Sequence, residues 1–214
     1  MLENITLFSG LNPSELEILE NHMVTRIYQK NTVIINEGDE ASSLFIILSG
    51  EVRVFLSNPD GKEIIINTQG AGEHFGELAL LDNAPRSASV MTTDKSTIGV
   101  ISKADFRNLL SRHIDLGLKL IVELTRRVRM LSDNIKTLAL MDVYGRVAKT
   151  LLGLAEKANG HLVIHNRPTQ QEIANRIGAS REMVARILKD LSTGGYITIT
   201  GKQLFINEKL PDAW

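Results

Sequence analysis

The sequence predicts an α+β fold: a β-roll, then one long helix, then a C-terminal winged helix-turn-helix. Three observations predict it. Short apolar runs separated by turn residues recur between about residues 26 and 101, a long helical stretch over residues 114–141 carries a heptad pattern, and the C-terminal third holds two capped helical patterns followed by a tight hairpin. The domain boundaries that follow are 1–113, 114–141 and 142–214.

In chain order, Asn12-Pro13-Ser14-Glu15 reads as a helix start, with Asn12 as cap and Pro13 at the first helical position. Strands are expected at 32–35, 44–48, 51–56, 63–67, 88–92 and 97–101. The turn signals between them are Gly38-Asp39, Ser49-Gly50, Asn58-Pro59-Asp60-Gly61 and Gly70-Ala71-Gly72. In the long helix Ile121, Leu124, Val128, Leu131, Ile135 and Leu138 are spaced 3, 4, 3, 4 and 3, the a/d seam of a coiled coil. Thr125, Arg127, Ser132 and Lys136 keep that stripe narrow. A homodimer seam is therefore favoured over a helix lying on its own β-domain, which needs a wider apolar face. Asp142 can cap the next helix, whose Val143, Val147, Leu151 and Leu154 share a face before Asn159-Gly160 ends it. A candidate hinge lies between Met141 and Val143.

Composition bounds the chemistry. Of 214 residues, 43% are hydrophobic and 23% charged, ordinary for a globular protein. There is no cysteine, which excludes disulfides, thiolate zinc sites, cysteine nucleophiles and cysteine-ligated iron–sulfur clusters. The Met-Leu-Glu-Asn start has no basic-then-apolar signal pattern, and no apolar run approaches the roughly 20 residues of a membrane span. A cytoplasmic protein with no membrane partner is expected. The net charge of -1 is unevenly spread: residues 1–141 hold 14 Lys/Arg against 18 Asp/Glu, residues 142–214 hold 10 against 7. A mildly basic C-terminal part can approach double-stranded DNA.

Thr169-Gln170-Gln171-Glu172 is a capping box. Ile173 and Ile177 share a face, Gly178-Ala179 permits a sharp turn, and Ser180 can cap a second helix with Val184, Ile187, Leu188 and Leu191 on its apolar side. Ala174, Gly178 and Val184 fall where a helix-turn-helix needs a small residue, a turn glycine and a buried β-branched residue. The hairpin 196–206 around Gly201-Lys202 is the expected wing. In such a motif the second helix enters the major groove. Arginine can then grip guanine with two hydrogen bonds, and glutamate can accept from cytosine. The candidate DNA-binding residues are Thr169, Gln170, Ser180, Arg181, Glu182, Arg186, Lys189 and Lys202. The bland alternative is a helical hairpin with solvated charges.

The densest chemical pattern is Phe75-Gly76-Glu77-Leu78-Ala79-Leu80-Leu81 followed by Pro85-Arg86-Ser87-Ala88. A glycine before a short helix offers backbone N–H groups to an anion. Arg86 can fold back to pair with a phosphate through its planar fork. Glu77 can accept from a ribose 2′-hydroxyl, and Ser87 can donate to a phosphate oxygen. The alternative is a structural Glu77–Arg86 salt bridge in a β-turn.

At these two motifs the sequence resembles the cyclic-AMP receptor protein family of bacterial transcription regulators, the CRP/FNR superfamily, over nearly its whole length. The resemblance implies a cyclic-nucleotide-binding β-roll, with Gly76, Glu77, Leu78, Ala79, Arg86 and Ser87 forming the phosphate-binding cassette. Glu77 would hold the ribose, Arg86 and Ser87 the cyclic phosphate, and Arg181, Glu182 and Arg186 the bases of a palindromic TGTGA-like site. It further implies cyclic AMP as effector, a homodimer, and RNA polymerase as a partner, with Lys157–His161 a candidate contact. Cyclic-AMP-responsive members carry adjacent Thr-Ser on the dimer helix, reaching the adenine. Here the pair is Leu131-Ser132, and leucine cannot hydrogen-bond a base. The effector stays open between cyclic AMP, another ligand such as a cyclic dinucleotide, and no nucleotide at all. No cofactor is expected. His74, beside the cassette, reads as a loop surface residue rather than a haem ligand.

Other function classes find little support. A nucleotide hydrolase or cyclase lacks a P-loop, a metal-ligand cluster and a nucleophile–base constellation. A cyclic-nucleotide-binding regulatory subunit of a partner enzyme leaves the helix-turn-helix without a role.

Overall fold

The computed structural model describes residues 2–158 and 161–210. The chain forms two compact units, Met1–Leu56 with Ile66–Met130, and Ser57–Ile65 with Leu131–Trp214. In the first unit α1 (Pro13–His22) opens on a reciprocal cap. Asn12 Oδ1 accepts from the Glu15 N–H at 3.0 Å, and a Glu15 carboxylate oxygen accepts from the Asn12 N–H at 2.8 Å. The strands are β1 (Val24–Tyr28), β2 (Val33–Ile35), β3 (Ser43–Ser49), β4 (Glu51–Ser57), β5 (Glu63–Gly70), β6 (His74–Phe75), β7 (Ser89–Thr92) and β8 (Ser96–Ser102). They form two four-stranded sheets, ordered β1-β8-β3-β6 and β2-β7-β4-β5. The five-residue helix α2 (Leu78–Asp82) interrupts them, and α3 (Lys103–Arg112) follows.

The unbroken apolar run Leu44-Phe45-Ile46-Ile47-Leu48 makes β3 a strand buried on both faces. Leu44 and Ile46 join a core with Leu16, Leu19, Phe106, Leu116 and Leu120, while Ile47 joins Ile35, Val52, Phe75, Val90 and Ile98. Three strands or α-helices of the first unit were not expected. β1 has almost no buried face to produce an alternating pattern, and β6 is two residues long. α3 rests on Phe106, with Leu109 and Leu110 partly buried, and on a cap from Ser102 Oγ to the Asp105 N–H at 3.1 Å.

The long helix α4 (Ile114–Leu140) buries Leu116 and Leu120 in the first core. Beyond them the heptad residues turn outward. Ile121, Val128 and Ile135 are 59%, 62% and 67% exposed, and Leu131 and Leu138 are exposed as well. Leu124 alone of the six packs partly against the chain's own core. After Met141, the Asp142 carboxylate caps α5 (Val143–Leu154) by accepting from the Gly145 N–H at 2.7 Å.

The second unit continues with β9 (Glu156–Ala158), β10 (His161–Ile164), α6 (Gln170–Ile177), α7 (Arg181–Thr193), β11 (Ile197–Thr200) and β12 (Gln203–Ile206), its sheet ordered β11-β12-β10-β9. The sequence reading extended α5 too far. The helix stops at Leu154 because Ala155 turns extended and Glu156-Lys157-Ala158 pairs with β10. Asn159 and Gly160, the expected stop, lie outside the described residues. The helices close over Val147, Leu151, Ile173, Ala174, Val184, Leu188, Leu191 and Leu204. Among the described residues no helix is long and apolar enough to cross a membrane.

Candidate ligand site and nucleic-acid interface

The ligand cassette is built on the edge strand β6. Its pairing with β3 sets Phe75 opposite Phe45 and His74 opposite Ile46, and the two phenyl rings stack with centroids 5.0 Å apart. Gly76 follows at φ +84, where a Cβ would stand 2.6 Å from Arg86 Nη1 and 3.3 Å from Phe45. Backbone conformation and close approach both require glycine. The carbonyl of Glu77 accepts from the Leu80 and Leu81 N–H groups, starting α2. At its other end Asn83 takes a left-handed conformation, and Arg107 of α3 donates to Leu80 O at 2.9 Å and Asn83 Oδ1 at 2.8 Å.

Arg86 is buried under this turn. Its Nη1 donates to Gly76 O at 2.7 Å and its Nη2 to Ser43 O at 2.8 Å, and its guanidinium carbon lies 5.5 Å from the Phe45 ring centre. Two main-chain carbonyls thus hold the fork, leaving its other N–H groups for a ligand.

Glu77 is 1% exposed. The alternative Glu77–Arg86 salt bridge is replaced by another. Arg127 of α4 donates from Nη1 to Glu77 Oε1 at 2.6 Å, and from Nη2 to His74 O at 2.9 Å. The second carboxylate oxygen, Oε2, is buried without a partner. Burial pushes the Glu77 carboxyl up from its ordinary range, against the pull of Arg127 and Arg86. A buried carboxylate with one oxygen paired and one orphaned is an acceptor awaiting a donor. Arg127 was read only as a polar interruption of the seam; its one local signal is Glu123 four residues earlier on the same helix face.

His74 also departs from expectation. It is 1% exposed, not a surface loop residue, because β6 pairs against the doubly buried β3. Its Nδ1 lies 3.4 Å from Glu123 Oε2, and its Nε2 has no partner. Burial first, then the charge of Arg127, pulls its pKa down to about 3. The structure therefore brings Gly76, Glu77 and Arg86 together. Ala79 is a packing residue, and Leu78 and Ser87 are exposed. Leu131 and Ser132 are exposed on α4 within the second unit.

In the helix-turn-helix, Thr169 Oγ1 accepts from the Glu172 N–H at 3.1 Å while Glu172 accepts from the Thr169 N–H at 2.6 Å. Gly178 ends α6 at φ +63, and Ser180 Oγ caps α7 by accepting from the Met183 N–H at 3.2 Å. Val184, Ile187, Leu188 and Leu191 are buried, which turns Arg181, Glu182, Arg186 and Lys189 to solvent. Thr169, Gln170 and Arg181 share a shallow cleft with Arg167 and Gln171, two residues the sequence reading missed. The Arg167 N–H donates to Lys202 O at 2.7 Å, tying the segment before α6 to the exposed wing turn.

Known proteins similar to this chain fall in one family. Residues 25–113 match the cyclic nucleotide-binding domain and residues 145–209 the Crp-like helix-turn-helix domain. The chain is 32% identical over 212 residues to the CRP-like cAMP-activated global transcriptional regulator of Mycobacterium tuberculosis, covering 97% of this chain and 95% of that protein. It is 33% identical over 195 residues to the cAMP-activated global transcriptional regulator CRP of Escherichia coli, covering 89% and 93%. Among solved structures, the c-di-GMP responsive global regulator CLP of Xanthomonas campestris aligns with a TM-score of 0.80 at 26% identity, covering 92% of this chain and all of that one. The chain belongs to the CRP/FNR family: it is a DNA-binding transcription regulator with a cyclic-nucleotide-binding domain, not an enzyme.

Proposed function

We propose that the chain is a homodimeric regulator gated by cyclic AMP, which binds a palindromic TGTGA-like site and acts on RNA polymerase in the cytoplasm. The observation that carries the ligand reading is the orphaned Oε2 of buried Glu77 beside the half-committed fork of buried Arg86. A ribose hydroxyl supplies the missing donor, and a cyclic phosphate the missing anion. The homologous regulators activated by cyclic AMP support the choice of nucleotide. The outward heptad stripe of α4 supports the dimer, since isolated apolar residues at this spacing bury themselves against a second copy. The exposed Arg181, Glu182, Arg186 and Lys189 of α7 support base contact, and a two-fold dimer would present its two helices about 34 Å apart on the duplex.

A second reading, a cyclic dinucleotide as effector, is favoured by one residue. By the family resemblance Leu131 takes the position of a hydroxyl that meets adenine, and the chain's structural similarity extends to a c-di-GMP responsive regulator. Calorimetric titration of the ligand-free protein with cyclic AMP, cyclic GMP and cyclic di-GMP separates the two. Submicromolar binding of cyclic AMP alone supports the first reading, and preference for the dinucleotide replaces it with the second. Binding of none of the three overturns both.

A further inference from the structure

His74 is held by α4 at two atoms. Arg127 donates to its main-chain carbonyl at 2.9 Å, and that carbonyl also accepts from Gln69 Nε2 at 2.8 Å. Its ring nitrogen Nδ1 faces Glu123 Oε2 at 3.4 Å. Glu123 and Arg127 are one helical turn apart, so one residue of β6 meets two successive turns of the same helix. Three residues on, Glu77 takes the other arm of Arg127. The imidazole is almost wholly enclosed, whereas an apolar side chain would fill the same space without a polar atom to satisfy. A buried histidine facing a carboxylate restricts position in a way that an apolar contact does not, because the N–H direction and the carboxylate plane must match.

We propose that His74 and Glu123 are positioning residues for the nucleotide site: their contact fixes the register of α4 against β6, and this register sets where Arg127 holds Glu77. Neither touches the ligand; both act through Arg127 and Glu77. The neighbouring charges fit this role. Glu73 and Glu77 from the cassette side and Arg126 and Arg127 from α4 act on Glu123, and Arg127 acts on His74. With the imidazole neutral, hydrogen on Nδ1 suits the facing carboxylate and leaves the buried Nε2 a lone pair rather than an orphaned donor. Without the contact, Arg127 keeps its charge but is free to pair with Glu123 or Glu77 in more than one geometry.

The proposal rests on the nucleotide-binding reading of Glu77, and its test keeps the two apart. Cyclic AMP and cyclic di-GMP are titrated calorimetrically into the wild type, His74→Ile, Glu123→Leu and Glu123→Gln, and each protein's melting temperature is measured alongside. Loss of the contact in His74→Ile and Glu123→Leu should weaken binding about three- to thirtyfold, the range over which residues without ligand contact modulate a site. Glu123→Gln keeps an acceptor for Nδ1 and should recover binding to within about threefold of the wild type. A packing role predicts instead that affinity follows melting temperature, with glutamine no better than leucine. Glu123→Leu, at a partly exposed helix position, carries the test where His74→Ile fails to fold. Wild-type affinity in a folded Glu123→Leu overturns the proposal and leaves the nucleotide site standing. A wild type that binds neither nucleotide overturns both.

Discussion

The cassette and the recognition helix use the same residue types in opposite ways. Glu77, Arg86 and Arg127 sit in or at the edge of the protein interior, where each finds its partner within the chain. Arg181, Glu182 and Arg186 stand in solvent on a helix whose opposite face is wholly apolar. Burial obliges the protein to supply acceptors, so the cassette arginine is placed before any ligand arrives. Hydration imposes no such demand, so the α7 side chains need no partner within the chain before the proposed base contact. A substitution in the first region should therefore disturb fold and ligand together. One among the solvent-facing side chains of α7 should disturb recognition alone.

The largest expected effect is at Arg86. Arg86→Leu should weaken nucleotide binding by about 2–5 kcal/mol, the usual loss when one partner of a buried charge pair is truncated. It should also lower stability by about 1–3 kcal/mol, because Gly76 O and Ser43 O lose their donors. Calorimetry and urea unfolding measure the two; full stability with lost affinity would break the contrast with α7. Arg186→Ala is the counterpart. It should relax discrimination at one base pair by about 1–3 kcal/mol and leave unfolding within about 0.5 kcal/mol of wild type, read by selection from random DNA and by thermal melting.

Acid should act on the cassette and spare the helix. The native pKa of His74, about 3, is depressed below the unfolded value near 6.5, so its contribution is present above 6.5 and lost as pH falls towards 3. Stability should drop by about 1.4 kcal/mol per pH unit in that window from this residue. Glu77 and Glu123 are raised by burial, and they contribute with the opposite sign: their share is present at low pH and lost as pH rises through their native values. Comparing His74→Ile with the wild type at pH 5.5 and 7.5 isolates the histidine, and the variant should show the shallower slope. Smallest is Ser180→Ala, which removes the α7 cap and should cost about 1 kcal/mol of stability, measured by thermal melting.

What was legible in the sequence was what depends on near neighbours. The caps at Asn12, Asp142, Thr169 and Ser180 follow from a side chain and an amide three residues on. The outward apolar stripe of α4 and the turn at Gly178 are equally local. The interior of the ligand site is not local. Arg127 is 50 residues from Glu77, Ser43 is 43 from Arg86, and Arg107 is 27 from Leu80. No spacing rule joins these pairs; the sheet order and the packing of α3 and α4 do. His74 was misjudged for the same reason. Beside two glycine turns it looks exposed, and only its pairing with Ile46 of a strand covered on both faces encloses it.

The hydroxyl caps of α6 and α7 carry a consequence for how the protein meets an anion. In each, the oxygen lone pair is engaged by a helix amide, so the remaining hydrogen is free to point outward and is made more acidic by that engagement. Asparagine or aspartate would close the helix as well, but neither pairs an engaged oxygen with a hydrogen of its own, and aspartate would add a negative charge on the face proposed to meet DNA. The choice of alcohols at Thr169 and Ser180 thus separates two quantities that helix capping usually joins. Ser180→Asp should leave the melting temperature near that of the wild type while steepening the loss of DNA affinity, so the same position is neutral to one selection and severe to another.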